Sequence, residues 1–156
     1  MDTEAVYQSP SEEEVKTLLT EKFPEVEVTK TEARRVYAKL PREKVLEVCK
    51  YIQHNLTFEH CSVVTAVDYI DHLTVVYLLS NYYNGLMIEL NTDLPADDLH
   101  VESVTCVWEG ANWHERETYE LFGIIFDNHP KLERLLTPKT YEFYPFRKSY
   151  KLRGSE

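Results

Sequence analysis

The spacing of apolar residues predicts two helices in the first third of the chain. Ser11 and Glu14 have the spacing of a capping box, in which each side chain accepts the backbone N–H of the other residue, and an apolar stripe follows as far as Phe23. Pro24 ends that helix, because proline cannot continue it. Pro41 suits the first position of a second helix, where a missing N–H costs nothing. The apolar stripe of the second helix comprises Val45, Val48, Cys49, Ile52 and Leu56.

A period of two replaces the helical period in the middle of the chain. Residues 26–40 predict two short strands around residues 29–32. Longer strands are predicted at residues 61–70, 73–80 and 86–91. The second of these is apolar on both faces, so we expect it to be central in the sheet and covered on both sides. Residues 93–98, which include a proline, are predicted as a loop.

A third helix is predicted from Ala111 to Phe122, with Gly123 as its left-handed cap. Two neighbouring strips of this helix comprise Trp113, Glu117 and Leu121, and Ala111, Glu115, Thr118 and Phe122. Arg116 can form an ion pair with Glu120 one turn later. Exposed ion pairs contribute only ~0–1 kcal/mol, so stability alone is a weak reason for this concentration of charge. A solvated helix face is the alternative interpretation.

Beyond Gly123 the pattern predicts a short strand at residues 124–126, a turn at 127–130 and a brief helix near 132–136. Together these elements predict an α+β fold, an antiparallel meander packed with helices. We expect residues 1–137 to form this domain and residues 138–156 to form an extended C-terminal tail.

The tail concentrates aromatic and basic residues. Its aromatic residues are Tyr141, Phe143, Tyr144, Phe146 and Tyr150. An aromatic side chain buries ~150–250 Å² when it is packed, and tyrosine and arginine are enriched in protein interfaces. We therefore expect the tail to lie against another subunit, with packing on its own domain as the alternative.

Composition narrows the class of protein. An apolar fraction of 43% supports a packed core. The net charge of −10 argues against nucleic acid as a partner, although the last 26 residues hold seven Lys and Arg against three Glu. No apolar run approaches the ~20 residues that span a bilayer, and the N-terminus lacks a signal peptide pattern. Three cysteines without a Cys-x-x-Cys pattern fit reduced thiols, so we expect a cytosolic chain.

Candidate chemistry is sparse in the sequence. His129, two residues from Asp127, is the best acid–base candidate, although a histidine in such a turn more often bonds a backbone carbonyl. The histidines lack zinc-ligand spacing, and the glycine-rich patterns that bind nucleotides are absent. The sequence therefore favours recognition of another protein over catalysis.

One family pattern unites the third helix and the segment that follows it. The sequence Glu-Arg-Glu-x-x-Glu at residues 115–120 leads to Gly-Ile at 123–124, His-Pro at 129–130 and Arg-Leu-Leu at 134–136. This pattern resembles the signature of the 30 kDa or C subunit of complex I, and Pro-Phe-Arg-Lys at 145–148 resembles its terminal Pro-Leu-Arg-Lys. The chain departs from the family at Glu133, at Phe143 and Tyr144, and at Ser149, so we expect individual tail contacts to differ from those of the family.

The resemblance implies a non-catalytic structural subunit in the peripheral arm of a membrane-bound, ion-translocating oxidoreductase. Such a subunit packs on a large hydrogenase-like subunit and on iron–sulfur subunits at the cytoplasmic face of the cell membrane, and it supports electron transfer to a quinone or phenazine. It holds no cofactor, because the iron–sulfur clusters and flavin belong to partner subunits. The interface or structural residues implied are Trp113, Glu115, Arg116, Glu117, Glu120, His129, Arg134, Tyr144, Pro145, Phe146, Arg147, Lys148 and Tyr150.

The electron donor and the class of protein stay open at the level of sequence. The electron donor can be NADH, a deazaflavin coenzyme, ferredoxin or a hydrogenase module, since the family includes archaeal deazaflavin-coenzyme dehydrogenases and membrane-bound hydrogenases. A free-standing enzyme that uses His129 and Asp127 is one alternative to a structural subunit. An unrelated protein-binding module is another.

Overall fold

The computed structural model describes residues 9–152. In chain order its elements are α1 (Glu12–Lys22), β1 (Glu27–Glu32), β2 (Arg35–Lys39), a 3₁₀ turn (Arg42–Lys44), α2 (Val45–Leu56), β3 (His60–Asp68), β4 (His72–Ser80), β5 (Met87–Pro95), β6 (His100–Glu102), α3 (Ala111–Phe122) and β7 (Ile125–Asp127). The first eight residues of the predicted domain, with the N-terminus on which the signal-peptide expectation depends, and the last four residues of the predicted tail lie outside the described residues.

Local sequence patterns account for the positions of the three helices that the structure describes. The predicted capping box is confirmed at α1, where the Ser11 backbone N–H lies 2.8 Å from Glu14 Oε2 and the Glu14 N–H lies 3.4 Å from Ser11 Oγ. The predicted apolar stripe of α2 is fully buried, although Pro41 precedes the 3₁₀ turn and not α2 itself. The predicted bounds of α3 are confirmed, and Gly123 ends the helix at φ +77°.

Within residues 9–152, five strands form the main sheet, in the order β1-β2-β5-β4-β3. All neighbouring strands are antiparallel except β2 and β5, which are parallel. The α2 crossover returns the chain to the direction of β2, so β3 and β5 run parallel to β2 while β4 runs against them. The α+β class is therefore confirmed, but the meander comprises only β3 to β5 within a mixed sheet. A separate parallel pair joins β6 to β7.

The helices cover one face of this sheet. Val75, Tyr77 and Leu79 of β4 are buried on the covered face, whereas Val76 and Leu78 on the other face are only half-buried. Strand β4 is an interior strand, paired with β5 and β3, but the expectation that both of its faces are covered is wrong, because no described helix closes the second face. Helix α3 packs on β3, where the Thr118 hydroxyl donates to the Val64 carbonyl at 3.0 Å.

Three predicted elements differ in the structure. The turn between β1 and β2 lies at Ala33 and Arg34, so residues 29–32 belong to β1 itself. Strand β5 continues to Pro95, through part of the predicted loop, because Leu94 is buried in the core. Residues 132–136 do not form the predicted helix, because a distant carboxylate holds the N–H groups of this segment in another arrangement.

Candidate functional site

Helix α3 presents its carboxylates in different directions. Glu115, Thr118 and Glu120 are buried, whereas Glu117 is exposed and Trp113 is 59% exposed. The strip predicted around Trp113 and Glu117 therefore faces outward, and the neighbouring strip faces the core. Buried carboxylates need hydrogen-bond partners to offset their lost hydration, and each of the two has a separate set.

Glu115 of α3 forms hydrogen bonds with the segment that follows β6. Its Oε2 accepts from the Ser103 hydroxyl at 2.6 Å, and its Oε1 accepts from the Val104 backbone N–H at 2.8 Å. Burial raises the pKa of the Glu115 carboxyl to about 7, even though both hydrogen bonds favour the charged form. The side chain therefore changes charge near neutral pH at the centre of the protein.

His129 packs beside this carboxylate in a structural role. Its Nδ1 accepts the Lys131 backbone N–H at 3.0 Å, so Nε2 carries the proton and donates to the Asn112 carbonyl at 3.2 Å. Burial lowers the pKa of His129, the bond to Asn112 opposes that shift, and the nearby Arg116 charge adds to it. Nε2 lies 3.9 Å from Glu115 Oε2.

Asp127 does not orient His129. Its carboxylate bonds His100 Nδ1 at 2.9 Å, and its backbone carbonyl accepts the Ser103 N–H. Each of the two sequence-predicted acid–base residues is therefore committed to a different partner. His129 and Asp127 are therefore neighbours in one turn, but their side chains do not form a catalytic pair.

The Glu120 carboxylate binds the backbone of residues 135–137, which overlap the segment predicted to be a helix. Its carboxylate accepts the N–H groups of Leu135, Leu136 and Thr137 at distances between 2.5 and 3.1 Å. Burial acts to raise the pKa of Glu120, but the bonds from this backbone outweigh it and lower the pKa. Glu120 is thus a charged anchor between α3 and residues 135–137.

Arg116, the first of the two arginines in the family pattern, also bonds the segment that follows α3. Within the described residues Arg116 forms no ion pair with Glu120, so that prediction is wrong; its Nε donates to the Glu133 carbonyl at 3.1 Å, and its guanidinium lies 5.2 Å from the Trp113 ring centre. Glu120 is unavailable to it, because its carboxylate already serves the backbone at residues 135–137.

Arg134 connects the anchored segment to the tail. One guanidinium nitrogen donates to the Glu120 carbonyl and to Thr137, and the other donates to the Phe143 carbonyl at 3.0 Å. The guanidinium also lies 5.4 Å from the ring centres of Tyr141 and Tyr144, within the range of cation–π attraction.

The tail itself is fixed to the domain by its backbone and by one arginine. Arg147 Nε donates to the Phe122 carbonyl at 2.6 Å, and its guanidinium stacks 4.7 Å from the Tyr144 ring centre. The Lys148 backbone N–H donates to Asp68 Oδ2 at 2.8 Å, and the Phe146 N–H donates to the Leu121 carbonyl at 3.1 Å.

The remaining predicted tail residues divide into inward and outward groups. Pro145 and Tyr150 are half-buried, and the hydroxyls of Tyr150 and Tyr141 lie 3.0 Å apart. Phe143 and Phe146 are 59% and 60% exposed, and the Lys148 side chain is exposed. The tail therefore packs on its own domain through its backbone, Tyr144 and Arg147, and through the Phe146 ring, which meets the Phe122 ring edge-on with centres 5.7 Å apart. More than half of the surface of Phe143 and of Phe146 stays exposed.

Sequence reasoning missed two anchors, Asp68 and Ser103. An aspartate at the end of a strand and a serine after another carry no pattern that identifies their partners, because both partners are distant in sequence. Within residues 9–152, no three His, Cys, Asp or Glu side chains converge where a metal ion could bind, and no helix is long and apolar enough to cross a membrane.

An open cavity of about 570 Å³ lies between α2 and β6. Two pairs of the charged groups that line it are bonded to each other, Arg42 with Asp98 at 2.6 Å and His100 with Asp127 at 2.9 Å. This cavity is separate from the residues of the family pattern.

Comparison with known proteins groups this chain with subunits of respiratory enzymes. Residues 38–156 match the family model described as the respiratory-chain NADH dehydrogenase 30 Kd subunit. The C subunit of NADH-quinone oxidoreductase from Geobacter sulfurreducens is 40% identical over 119 residues, which cover 74% of each protein. The C subunit of F(420)H(2) dehydrogenase from Methanosarcina mazei is 42% identical over 137 residues, which cover 85% of this chain and 87% of the relative.

Two solved structures share the fold. A chain of the membrane-bound sulfane sulfur reductase, an archaeal respiratory membrane complex, superposes with a TM-score of 0.78 over 90% of this chain and 86% of the other, at 26% identity. A trypsin-resistant fragment of Nqo5 superposes with a TM-score of 0.67 over 76% of this chain and 98% of the fragment, also at 26% identity.

Proposed function

Because this chain belongs to the family of the respiratory-chain NADH dehydrogenase 30 kDa subunit, we propose that it is a structural subunit of a complex I-like, ion-translocating oxidoreductase. It sits in the peripheral arm at the cytoplasmic face of the cell membrane and reaches the membrane only through its partners. It packs on the large hydrogenase-like subunit and on iron–sulfur subunits, and it supports electron transfer to a quinone or phenazine. The iron–sulfur clusters and flavin belong to the partners, and this chain holds none.

The observation that carries this proposal is the division of the tail into an anchored backbone and outward aromatic side chains. Phe143, Phe146 and Leu152 are at least 59% exposed, while Arg147 and Arg134 fix the chain between them to the domain. Holding exposed apolar groups in one arrangement lowers the entropy that a partner must remove on binding. Trp113 on α3 and Leu136 in the anchored segment are also largely exposed.

The alternative of a free-standing enzyme lacks a geometric basis at the residues proposed for it. His129 donates to Asn112 and Asp127 bonds His100, so neither is oriented by the other. The relatives include subunits of an NADH-quinone oxidoreductase and of an F(420)H(2) dehydrogenase. NADH and F(420)H(2) are therefore both candidate electron donors for the complex. Measuring the reduction of a quinone analogue by the purified complex with each donor in turn identifies which one it uses.

Alanine substitutions at two glycines, Gly123 and Gly85, test whether assembly depends on the docked tail. A Cβ added at Gly123 would lie 2.6 Å from Arg147 Nη2 and 2.9 Å from Tyr144 Cε2, whereas a Cβ at Gly85 meets no atom within 4 Å. Both glycines have positive φ, +77° and +69°, so alanine at either site costs about 1–2 kcal/mol of backbone strain. Only Gly123→Ala also forces the Tyr144 ring and the end of the Arg147 side chain to move, so we expect it alone to loosen the tail.

The measurement is the fraction of affinity-tagged chain that co-purifies with the rest of the complex from its host. We expect wild type and Gly85→Ala to be retained alike, and Gly123→Ala to be retained about tenfold less, since loss of one or two interface anchors changes affinity by that factor or more. Equal retention of the two alanine variants, with the tail of Gly123→Ala shown by hydrogen exchange to be released, would contradict assembly through the docked tail.

A further inference from the structure

The tip of the β3–β4 hairpin holds an isoleucine in an unfavourable conformation. Ile70 has φ +80° and is 74% exposed. A β-branched residue in the left-handed region is a genuine outlier, which glycine or asparagine would occupy without strain. Such strain persists only where the surroundings impose it, and it concentrates at functional sites. An exposed turn gives no packing reason for an isoleucine.

The conformation is imposed by the same aspartate that holds the tail. Asp68 Oδ1 accepts the Ile70 backbone N–H at 2.7 Å, while Asp68 Oδ2 accepts the Lys148 N–H at 2.8 Å. The Tyr69 N–H bonds the His72 carbonyl at 2.9 Å, and the Tyr69 ring stacks on the His72 ring with centres 5.0 Å apart. The tip is therefore a rigid projection, joined through one side chain to the tail.

A recess adjoins this projection. A cavity of about 240 Å³ is lined on one side by Ile70 and Leu73, on another by Ala96 and Leu99, and on the third by the tail at residues 147–149. Tyr69, beside Ile70, is 51% exposed. The hairpin tip and the tail thus form one continuous surface with an apolar knob at its edge.

We propose that this tip, Tyr69 and Ile70, is a second docking element, which inserts into an apolar recess on a neighbouring protein subunit; this rests on the proposed function. Continuity with the tail places the tip on the same partner-facing surface. The Asp71 side chain, 81% exposed next to Ile70, disfavours insertion of the tip itself into an anionic bilayer, so a protein is the expected partner despite the basic side chains of the neighbouring tail. Tyrosine beside an aliphatic knob is typical of interface anchors.

A second exposed turn residue supplies a matched control. Arg34, in the β1–β2 turn, is exposed and has φ +61°. Arg35 pairs with Met87 and Met87 pairs with Ser80, whereas His72 pairs with Pro95, so this turn and the Ile70 tip lie at opposite ends of the sheet. Glycine relieves backbone strain at either position and removes an exposed side chain.

The experiment compares Ile70→Gly, Ile70→Asn and Arg34→Gly in the full chain, purified with its complex from the host. We expect all three isolated chains to unfold at or above the wild-type midpoint. In the complex we expect Arg34→Gly to be retained like wild type after a salt wash, and both Ile70 variants to be retained about tenfold less, the effect of one lost anchor.

Wild-type retention of both Ile70 variants would overturn the tip as a docking element while leaving the proposed function intact. A lowered unfolding midpoint in both Ile70 variants would also overturn it, because Ile70 would then serve the fold. If the isolated wild-type chain bound phosphatidylserine vesicles and Ile70→Asn did not, the tip would dock on a membrane and the proposal of a protein partner would be overturned. Failure of the wild-type chain to co-purify with any other protein of the complex would overturn the proposed function, and this inference with it.

Discussion

Replacing Glu120 by alanine is expected to lower the free energy of unfolding by about 3–4 kcal/mol. The carboxylate accepts three consecutive backbone N–H groups, from Leu135, Leu136 and Thr137, and no other described side chain takes them. Hydrogen bonds to a charged group contribute ~1.5–3 kcal/mol each, and part of the loss is recovered when the freed segment opens to water. Release of this segment also frees Arg134, which leads into the tail.

Chemical denaturation of wild type, Glu120→Ala and Glu117→Ala measures this effect. Glu117 lies on the same helix but is exposed, so its replacement should change stability by less than about 0.5 kcal/mol. Hydrogen exchange at residues 135–137 should accelerate only in the Glu120 variant. If the two variants were equally stable, the carboxylate would not be the anchor of this segment.

Raising the pH from 5 to 8 is expected to remove about 2–3 kcal/mol of stability through Glu115. Burial raises its pKa from the ordinary value of 4.5 to about 7 in the folded chain, so folding favours the neutral carboxyl. The contribution is fully present below pH ~4.5 and is lost as the pH rises through 7, at about 1.4 kcal/mol per unit of pKa difference. His129 acts oppositely, because its lowered pKa favours the neutral ring and its contribution is lost as the pH falls.

Glu115→Gln isolates this contribution. Glutamine can accept the Val104 N–H and donate to the Ser103 hydroxyl, as the neutral acid does, so the fold is retained. Urea unfolding of both proteins from pH 5 to pH 8 should show wild type losing stability relative to the variant as the pH rises. Parallel stability curves over this range would mean that the Glu115 carboxyl stays ionised in the folded protein.

Features that depend on neighbouring residues were predictable from the sequence. The α1 capping box, the buried stripe of α2 and the left-handed cap at Gly123 each arise from residues within one or two helical turns. Their energetics are local, so spacing alone identifies them. The family pattern around α3 was also readable, because its residues are close together in the chain.

Features that depend on distant partners were not predictable. Residues 132–136 have helical composition, but Glu120 accepts the N–H groups of Leu135 and Leu136, and the segment is an anchored coil. The parallel pairing of β2 with β5 depends on where the α2 crossover delivers the chain. Composition identified a tail rich in interface-type residues. Which of its side chains pack on the domain, as Arg147 does, and which stay exposed, as Phe143 does, depends on the surface that α3 presents.

Hydrogen exchange on the chain alone and in its assembled complex tests the central proposal most directly. The outward tail should become covered on assembly, so exchange at residues 141–152 should slow by at least about tenfold. Exchange at the β1–β2 turn, at the opposite end of the sheet from the hairpin tip, should stay unchanged. Equal exchange at residues 141–152 in the free and assembled chain would contradict docking through the tail.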